Sequence, residues 1–371
     1  MRKAVALFLS GCLISTMGGV SAATAGANIT LDAGTGEILS QEDAFQRWYP
    51  ASLTKLMTVY VAFRMIQSGQ AKLDTPIRIT ALSAKQPPSK MGYKVGSELT
   101  LDNALKIMMV KSANDVAMAV GETLGGSSDK FAVLMNEEAQ RIGMTGSHFA
   151  NPNGLHSQDN YTTARDLAVL TLHLRRDFPQ YAHYFEIEAI DYGGKKPQQN
   201  LNALIGRFQG ADGMKTGFVC PSGYNLVGSA TRNGRTVIAV VLGELKLATR
   251  ATKAAELLAK GFETRGNGTT IDNLQPYGAP TRDVAVNMRE SVCSKEAHGS
   301  DTWDGKDLEG HIVQGSPYMN RMDHEPVAEK VALLPAKTNL IGMEMSRIPV
   351  PTPRPDRASL TDAGAALKAV N

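Results

Sequence analysis

The chain has 371 residues, with 39 Lys and Arg against 36 Asp and Glu, a formal net charge of +3 and 43% hydrophobic residues. That is the composition of an ordinary globular protein, long enough to bury a full core. Acidic and basic residues are interleaved with no basic run, which argues against nucleic acid as a partner. Nothing approaches the roughly 18 unbroken apolar residues of a membrane span.

In chain order, Arg2-Lys3, an apolar stretch from Ala4 to Leu9 and the small-residue site Val20-Ser21-Ala22 predict an export signal over residues 1–22. Leu9-Ser10-Gly11-Cys12 resembles a lipoprotein cleavage box, an alternative that would leave Cys12 lipidated. Residues 27–32 and 37–40 read as strands around the turn Ala33-Gly34-Thr35-Gly36. Pro50 precedes a helix that begins at Ser52 and stops before Gly69, with Leu53, Leu56, Met57, Tyr60 and Phe63 on a broad apolar face. Further helices are expected over 102–109, 114–124, 129–142 and 163–176. A hairpin of 224–230 and 236–242 turns at Asn233-Gly234, and a closing helix covers 247–262. Strands at both ends with helices between them predict an α+β fold whose one sheet is assembled from the two chain ends.

Composition shifts near residue 265, after which nine of the 17 prolines fall, ending in Pro349-Val350-Pro351-Thr352-Pro353-Arg354-Pro355. The organisation expected is a catalytic domain over 23–265 and a Pro-rich, loosely ordered extension over 266–371, with a part near Cys293 docked back. If Cys12 leaves with the signal, Cys220 and Cys293 remain, an even pair in an oxidising compartment. They are either a disulfide or two unrelated thiols. The histidines of the extension, His298, His311 and His324, lack metal-ligand spacing, so no metal site is expected.

Three strings carry the chemistry: Ser52-Leu53-Thr54-Lys55, Ser112-Ala113-Asn114 and Lys215-Thr216-Gly217. A spacing of three puts Ser52 and Lys55 on one helix face. The serine hydroxyl needs a base, and a lysine serves as one only when burial or a neighbouring cation favours its neutral form. Lys215 could supply that positive charge. Ser112 can relay a proton, and Asn114 can hold a substrate amide or the lysine amine. Lys215 and Thr216 would bind a carboxylate, on an inner strand beside the helix of Ser52. Gly217 would let a substrate backbone approach closely. Backbone N–H groups of Ser52 and of a residue near Phe218 could form an oxyanion hole. No string suffices alone, since Ser127-Ser128-Asp129-Lys130 also fits S-x-x-K, and roughly one such match is expected by chance in this length. No G-x-S-x-G elbow surrounds Ser52.

With Leu31-Asp32-Ala33-Gly34-Thr35-Gly36-Glu37, Val110-Lys111-Ser112-Ala113-Asn114-Asp115, Asn151-Pro152-Asn153-Gly154-Leu155 and Asp212-Gly213-Met214-Lys215-Thr216-Gly217, residues 27–265 resemble the D-alanyl-D-alanine carboxypeptidases, the low-molecular-mass penicillin-binding proteins. The resemblance implies a serine β-lactamase/DD-peptidase-like fold, a central antiparallel sheet flanked by helices plus a helical subdomain. It implies Ser52 as nucleophile, Lys55 as its base and Ser112 as relay, with Asn114, Lys215, Thr216, Gly217 and Phe218 holding substrate. The implied substrate is a peptidoglycan stem peptide, with β-lactam antibiotics as inhibitors and no cofactor. A D,D-endopeptidase and a non-catalytic wall-binding homologue share these strings as alternatives. A β-lactamase would need an added base, and the 151–161 loop holds Asp159 but no glutamate. Two departures stand out. Residues 359–370 are short and Ala-rich, unlike the amphipathic membrane anchor of many relatives, which leaves membrane attachment open. Phe218-Val219-Cys220-Pro221-Ser222-Gly223 replaces the family's commoner small-residue stretch after Lys-Thr-Gly.

Overall fold

The computed structural model describes residues 26–295 and 315–335. The expected export signal, Cys12 and the chain past 335 lie outside the described residues. Two strands, β1 (Asn28–Asp32) and β2 (Ile38–Glu42), pair antiparallel across the expected turn. A 3-10 turn (Ala51–Leu53) then leads into α1 (Thr54–Gln67), so Ser52 sits on the turn and the regular helix starts two residues after it. A small antiparallel pair, β3 (Pro76–Arg78) and β4 (Glu98–Thr100), brackets α2 (Ala81–Ala84). There follow α3 (Leu101–Val110), α4 (Asn114–Gly125), α5 (Ser128–Arg141) and α6 (Ala164–Asp177), within a residue or two of the expected helices.

Caps explain several of these starts. Thr100, Ser127 and Thr163 accept the N–H groups of Asn103, Lys130 and Asp166 at 3.0–3.2 Å. Ser127 therefore caps α5, and its S-x-x-K string is a helix start on the exposed side of the fold. Beyond α6 come α7 (His183–Glu186) and the short strands β5 (Ala189–Asp191) and β6 (Gln198–Gln199). The chain then runs through β7 (Ala211–Val219), β8 (Gly223–Arg232), β9 (Arg235–Glu244) and α8 (Leu247–Glu263). The described residues end with α9 (Arg289–Cys293) and β10 (Ala328–Lys330).

The main sheet has the order β2-β1-β9-β8-β7, every pair antiparallel. The two chain ends meet where β1 pairs with β9, Ile29 opposite Val240. Alternation along β9 serves two cores. Val237, Ala239 and Val241 pack under α8 with Ala254 and Leu258. Ile238, Val240 and Leu242 face the large core that α1, α3, α4 and α6 share. The β8–β9 turn is Asn233-Gly234, both residues in the left-handed region (φ 49° and 79°), as a type I′ turn requires. β7 is the edge of the sheet, not the inner strand expected. An edge leaves one side of the strand free to border a cavity, which an inner position would not.

The described part of the extension docks on the domain more widely than the segment near Cys293 expected to do so. Described residues past 265 belong to the same compact unit as the sheet, which runs to Leu334. Residues 277–288 lie along the segment that leads to Ser52: Tyr277 Oη accepts Ala44 N–H at 2.9 Å, Arg47 N–H donates to the Arg282 carbonyl, and Val286 N–H donates to that of Arg47. β10 adds to β5 in parallel, and Lys106 joins Asp102 and Glu329 at 3.1 and 3.0 Å. Backbone groups at 328–334 are satisfied by edges the domain already presents, so a proline-rich composition over the whole extension did not prevent local docking. The strongest composition signal, 349–355, lies outside the described residues.

Cys220, at the β7–β8 turn, is bonded to Cys293 of α9, 73 residues on. Closing a loop of that size stabilises by roughly 2–4 kcal/mol through the unfolded chain. The double variant Cys220→Ser, Cys293→Ser is expected to lose that much in urea unfolding under non-reducing conditions. An unchanged midpoint would mean the bridge is not closed in the purified protein.

Candidate active site

Three elements converge on one cavity of about 640 Å³: the turn before α1, the α3–α4 connection and the edge strand β7. Ser52 lines it, with Ser112, Asn114, Thr216 and Phe218. Two of the residues that shape it hold unusual backbone. Ala51 and Ser112 have φ of 49° and 61°, the left-handed region that costs a non-glycine residue about 1–2 kcal/mol. That conformation at Ser112 reverses the chain between α3 and α4, so Ser112 and Asn114 face the same way.

The Ser52 turn is clamped against the sheet. Asn225 of β8 donates its Nδ2 to the carbonyls of Tyr49 and Pro50 at 2.9 and 3.3 Å. Gly217 of β7 lies so close that a Cβ there would stand 2.8 Å from the Pro50 carbonyl oxygen and 3.1 Å from Ser52 N. Glycine at 217 thus lets the Ser52 turn approach β7. This close approach adds to the one expected for a substrate backbone.

Lys55 is fully buried. Its Nζ reaches Ser52 Oγ at 2.9 Å, Asn114 Oδ1 at 2.8 Å and the Asn153 carbonyl at 2.6 Å. The geometry defines what each charge state can do. An ammonium donates to all three oxygens. A neutral amine has two hydrogens, which the two carbonyl oxygens take, and its lone pair is then left facing the hydroxyl of Ser52. Burial lowers the Lys55 pKa well below the usual lysine value, the positive charge of Lys215 lowers it further, and Asp115 opposes both. Asp115 is itself buried, its carboxylate accepting the N–H groups of Met91, Gly92 and Val116.

Lys215 is also buried. It donates to Ser112 Oγ at 3.0 Å and to the Thr216 carbonyl at 2.9 Å. Burial first, and then the charge of Arg250, bring its pKa down to about 7. Arg250 of α8 was not anticipated from sequence. It is buried on the cavity wall, its Nε has no hydrogen-bond partner among the described residues, and its guanidinium lies over the Tyr224 ring at 5.9 Å. A buried cation with an unsatisfied donor beside a cavity is suited to an anion. Asn153 was also missed as a functional contact, although its string was quoted, because a backbone carbonyl leaves no mark on residue type. Gln86 fixes the Asn153 side chain at 2.9 Å.

The family described as D-alanyl-D-alanine carboxypeptidase matches residues 15–246. The chain belongs to that family. Similar relatives within it include the D-alanyl-D-alanine carboxypeptidase DacC of Escherichia coli K12, 34% identical over 63% of this chain and 60% of the relative. Another is the D-alanyl-D-alanine carboxypeptidase DacA of Haemophilus influenzae, 33% identical over 64% and 62%. This chain thus spans about 60% of the length of these curated relatives.

Among solved structures, the Francisella tularensis carboxypeptidase DacD aligns with a TM-score of 0.61 at 32% identity, covering 70% of this chain and 73% of that one. Penicillin-binding protein D2 of Listeria monocytogenes, in its cefotaxime-bound form, aligns with a TM-score of 0.59 at 27% identity, covering 64% and 97%. The α+β architecture described above is that of the family's penicillin-binding structures.

Proposed function

We propose that the protein is a serine D-alanyl-D-alanine carboxypeptidase that removes the terminal D-alanine from peptidoglycan stem peptides and is inhibited by β-lactams. The observation that carries this reading is the Lys55 amine held by two carbonyl oxygens with its third contact on Ser52 Oγ.

Neutral Lys55 takes the Ser52 proton as Oγ attacks the carbonyl between the two D-alanines. The oxyanion is held by the backbone N–H groups of Ser52 and Phe218. The terminal carboxylate lies against Thr216 and Arg250, while Lys215, on the opposite face of β7, holds Ser112, and Asn114 supports the substrate amide while orienting Lys55. Ser112, bonded to Lys215, relays the proton that Lys55 took to the departing amine, which returns Lys55 to its neutral form. D-alanine leaves, and water resolves the acyl-enzyme with Lys55 again as base. A β-lactam acylates Ser52 in the same way, but its opened ring stays tethered, which blocks the path of water.

Residues 1–22 act as the export signal, which puts the enzyme in the periplasm or cell envelope, where it serves wall maturation and cell shape. The Cys220–Cys293 bridge supports an oxidising compartment. No helix among the described residues is long and apolar enough to cross a membrane.

The test is release of free D-alanine from an acylated D-alanyl-D-alanine peptide, run beside a cross-linked muropeptide. Release from the simple peptide is expected. Cleavage of the cross-link alone would replace this reading by a D,D-endopeptidase, and no turnover of either would leave a wall-binding homologue.

A further inference from the structure

The side chain of Phe218 has no task in the scheme above, yet it is a large apolar group left 41% exposed on the wall of the reactive cavity. Its ring stacks on that of Tyr224, its partner in the β7–β8 ladder, with centroids 4.3 Å apart and planes at 25°. Strand alternation puts Thr216 and Phe218 on one face of β7, and Lys215 and Gly217 on the other. The second pair meets Ser112 and the Ser52 turn. The first pair looks toward α8: Leu226, opposite Thr216, packs in the core under that helix.

The cavity therefore passes from Ser52 over the free edge of β7 to a recess walled by Phe218, Tyr224, Leu247 and Arg250. A carboxylate held at Thr216 and Arg250 carries its α-substituent into that recess. The wall cannot swing aside easily. Phe218 is held in the ladder, and Cys220, two residues on, is bonded to α9.

We propose that Phe218 and Tyr224 form an apolar leaving-group subsite that accepts C-terminal D-amino acids with side chains larger than methyl, of the D-leucine or D-methionine class. The inference rests on the carboxypeptidase reading and deepens it. The bonds made and broken are those of the D-alanine reaction: the same amide is cleaved through Ser52, and the free D-amino acid leaves protonated.

The experiment compares kcat/KM for acyl-D-alanyl-D-leucine with that for acyl-D-alanyl-glycine, which offers the recess nothing. The wild-type ratio is expected to exceed one. Phe218→Ala is expected to lower that ratio about tenfold, the scale of a lost apolar contact in a pocket, and Phe218→Tyr to retain most of it. A wild-type ratio below one, or a ratio unmoved by Phe218→Ala while both peptides are still cleaved, overturns this inference alone. No release from any peptide by the wild type overturns the carboxypeptidase reading and this inference with it.

Discussion

Ser52→Ala is expected to abolish covalent labelling by penicillin and to reduce D-alanine release by on the order of 10⁶-fold, the scale seen when a catalytic serine is removed. The expectation comes from position as much as residue type. Ser52 stands on a 3-10 turn, clamped by Asn225 and Gly217, with its Oγ 2.9 Å from the Lys55 amine. No other serine of the chain has that set of contacts among the described residues. Intact-mass analysis after incubation with a penicillin reads the outcome directly. A labelled Ser52→Ala protein would remove Ser52 from the role of nucleophile.

Lys55→Ala is expected to cost less, about 10³-fold in the acylation rate, because a general base contributes roughly 10²–10⁴. The pH profile gives the sharper test. The folded pKa of Lys55 is lowered, by burial and by Lys215, so the amine loses its proton as pH rises through that lowered value. Acylation should therefore rise with pH across that range and level off above it, and the residual rate of Lys55→Ala should lack this rise. A variant that keeps both rate and rise would remove Lys55 as base. The same shift bears on stability. Between the lowered folded value and the ordinary 10.5 of the unfolded chain, the unfolded state binds a proton that the folded state does not. Stability then increases with pH across that window. The desolvation that lowers the Lys55 pKa thus costs folding stability at every pH below the pKa of the unfolded lysine.

Much of the helix and strand plan was legible because it is written locally. The apolar spacing of α1 and the Asn233-Gly234 turn each depend on residues within one or two turns of each other. The false S-x-x-K string illustrates the limit of such reading. Ser127 and Lys130 have the same spacing as Ser52 and Lys55, yet Ser127 caps a helix at the surface while Lys55 is fully buried. Spacing fixes only which side chains can meet. Burial decides whether a lysine is a base.

The amino-acid sequence by itself determined the three strings, their order, the α+β plan and the pairing of chain ends that periodicity implies. Tertiary structure alone decided that β7 is an edge strand and how far the described residues between 266 and 334 dock on the domain. It also decided that Asn153 offers a carbonyl to Lys55 and that Arg250 reaches the cavity from α8. The division has one physical cause. Local propensity and side-chain type are properties of short segments, whereas desolvation, sheet position and the approach of backbone carbonyls depend on groups brought together from distant parts of the chain.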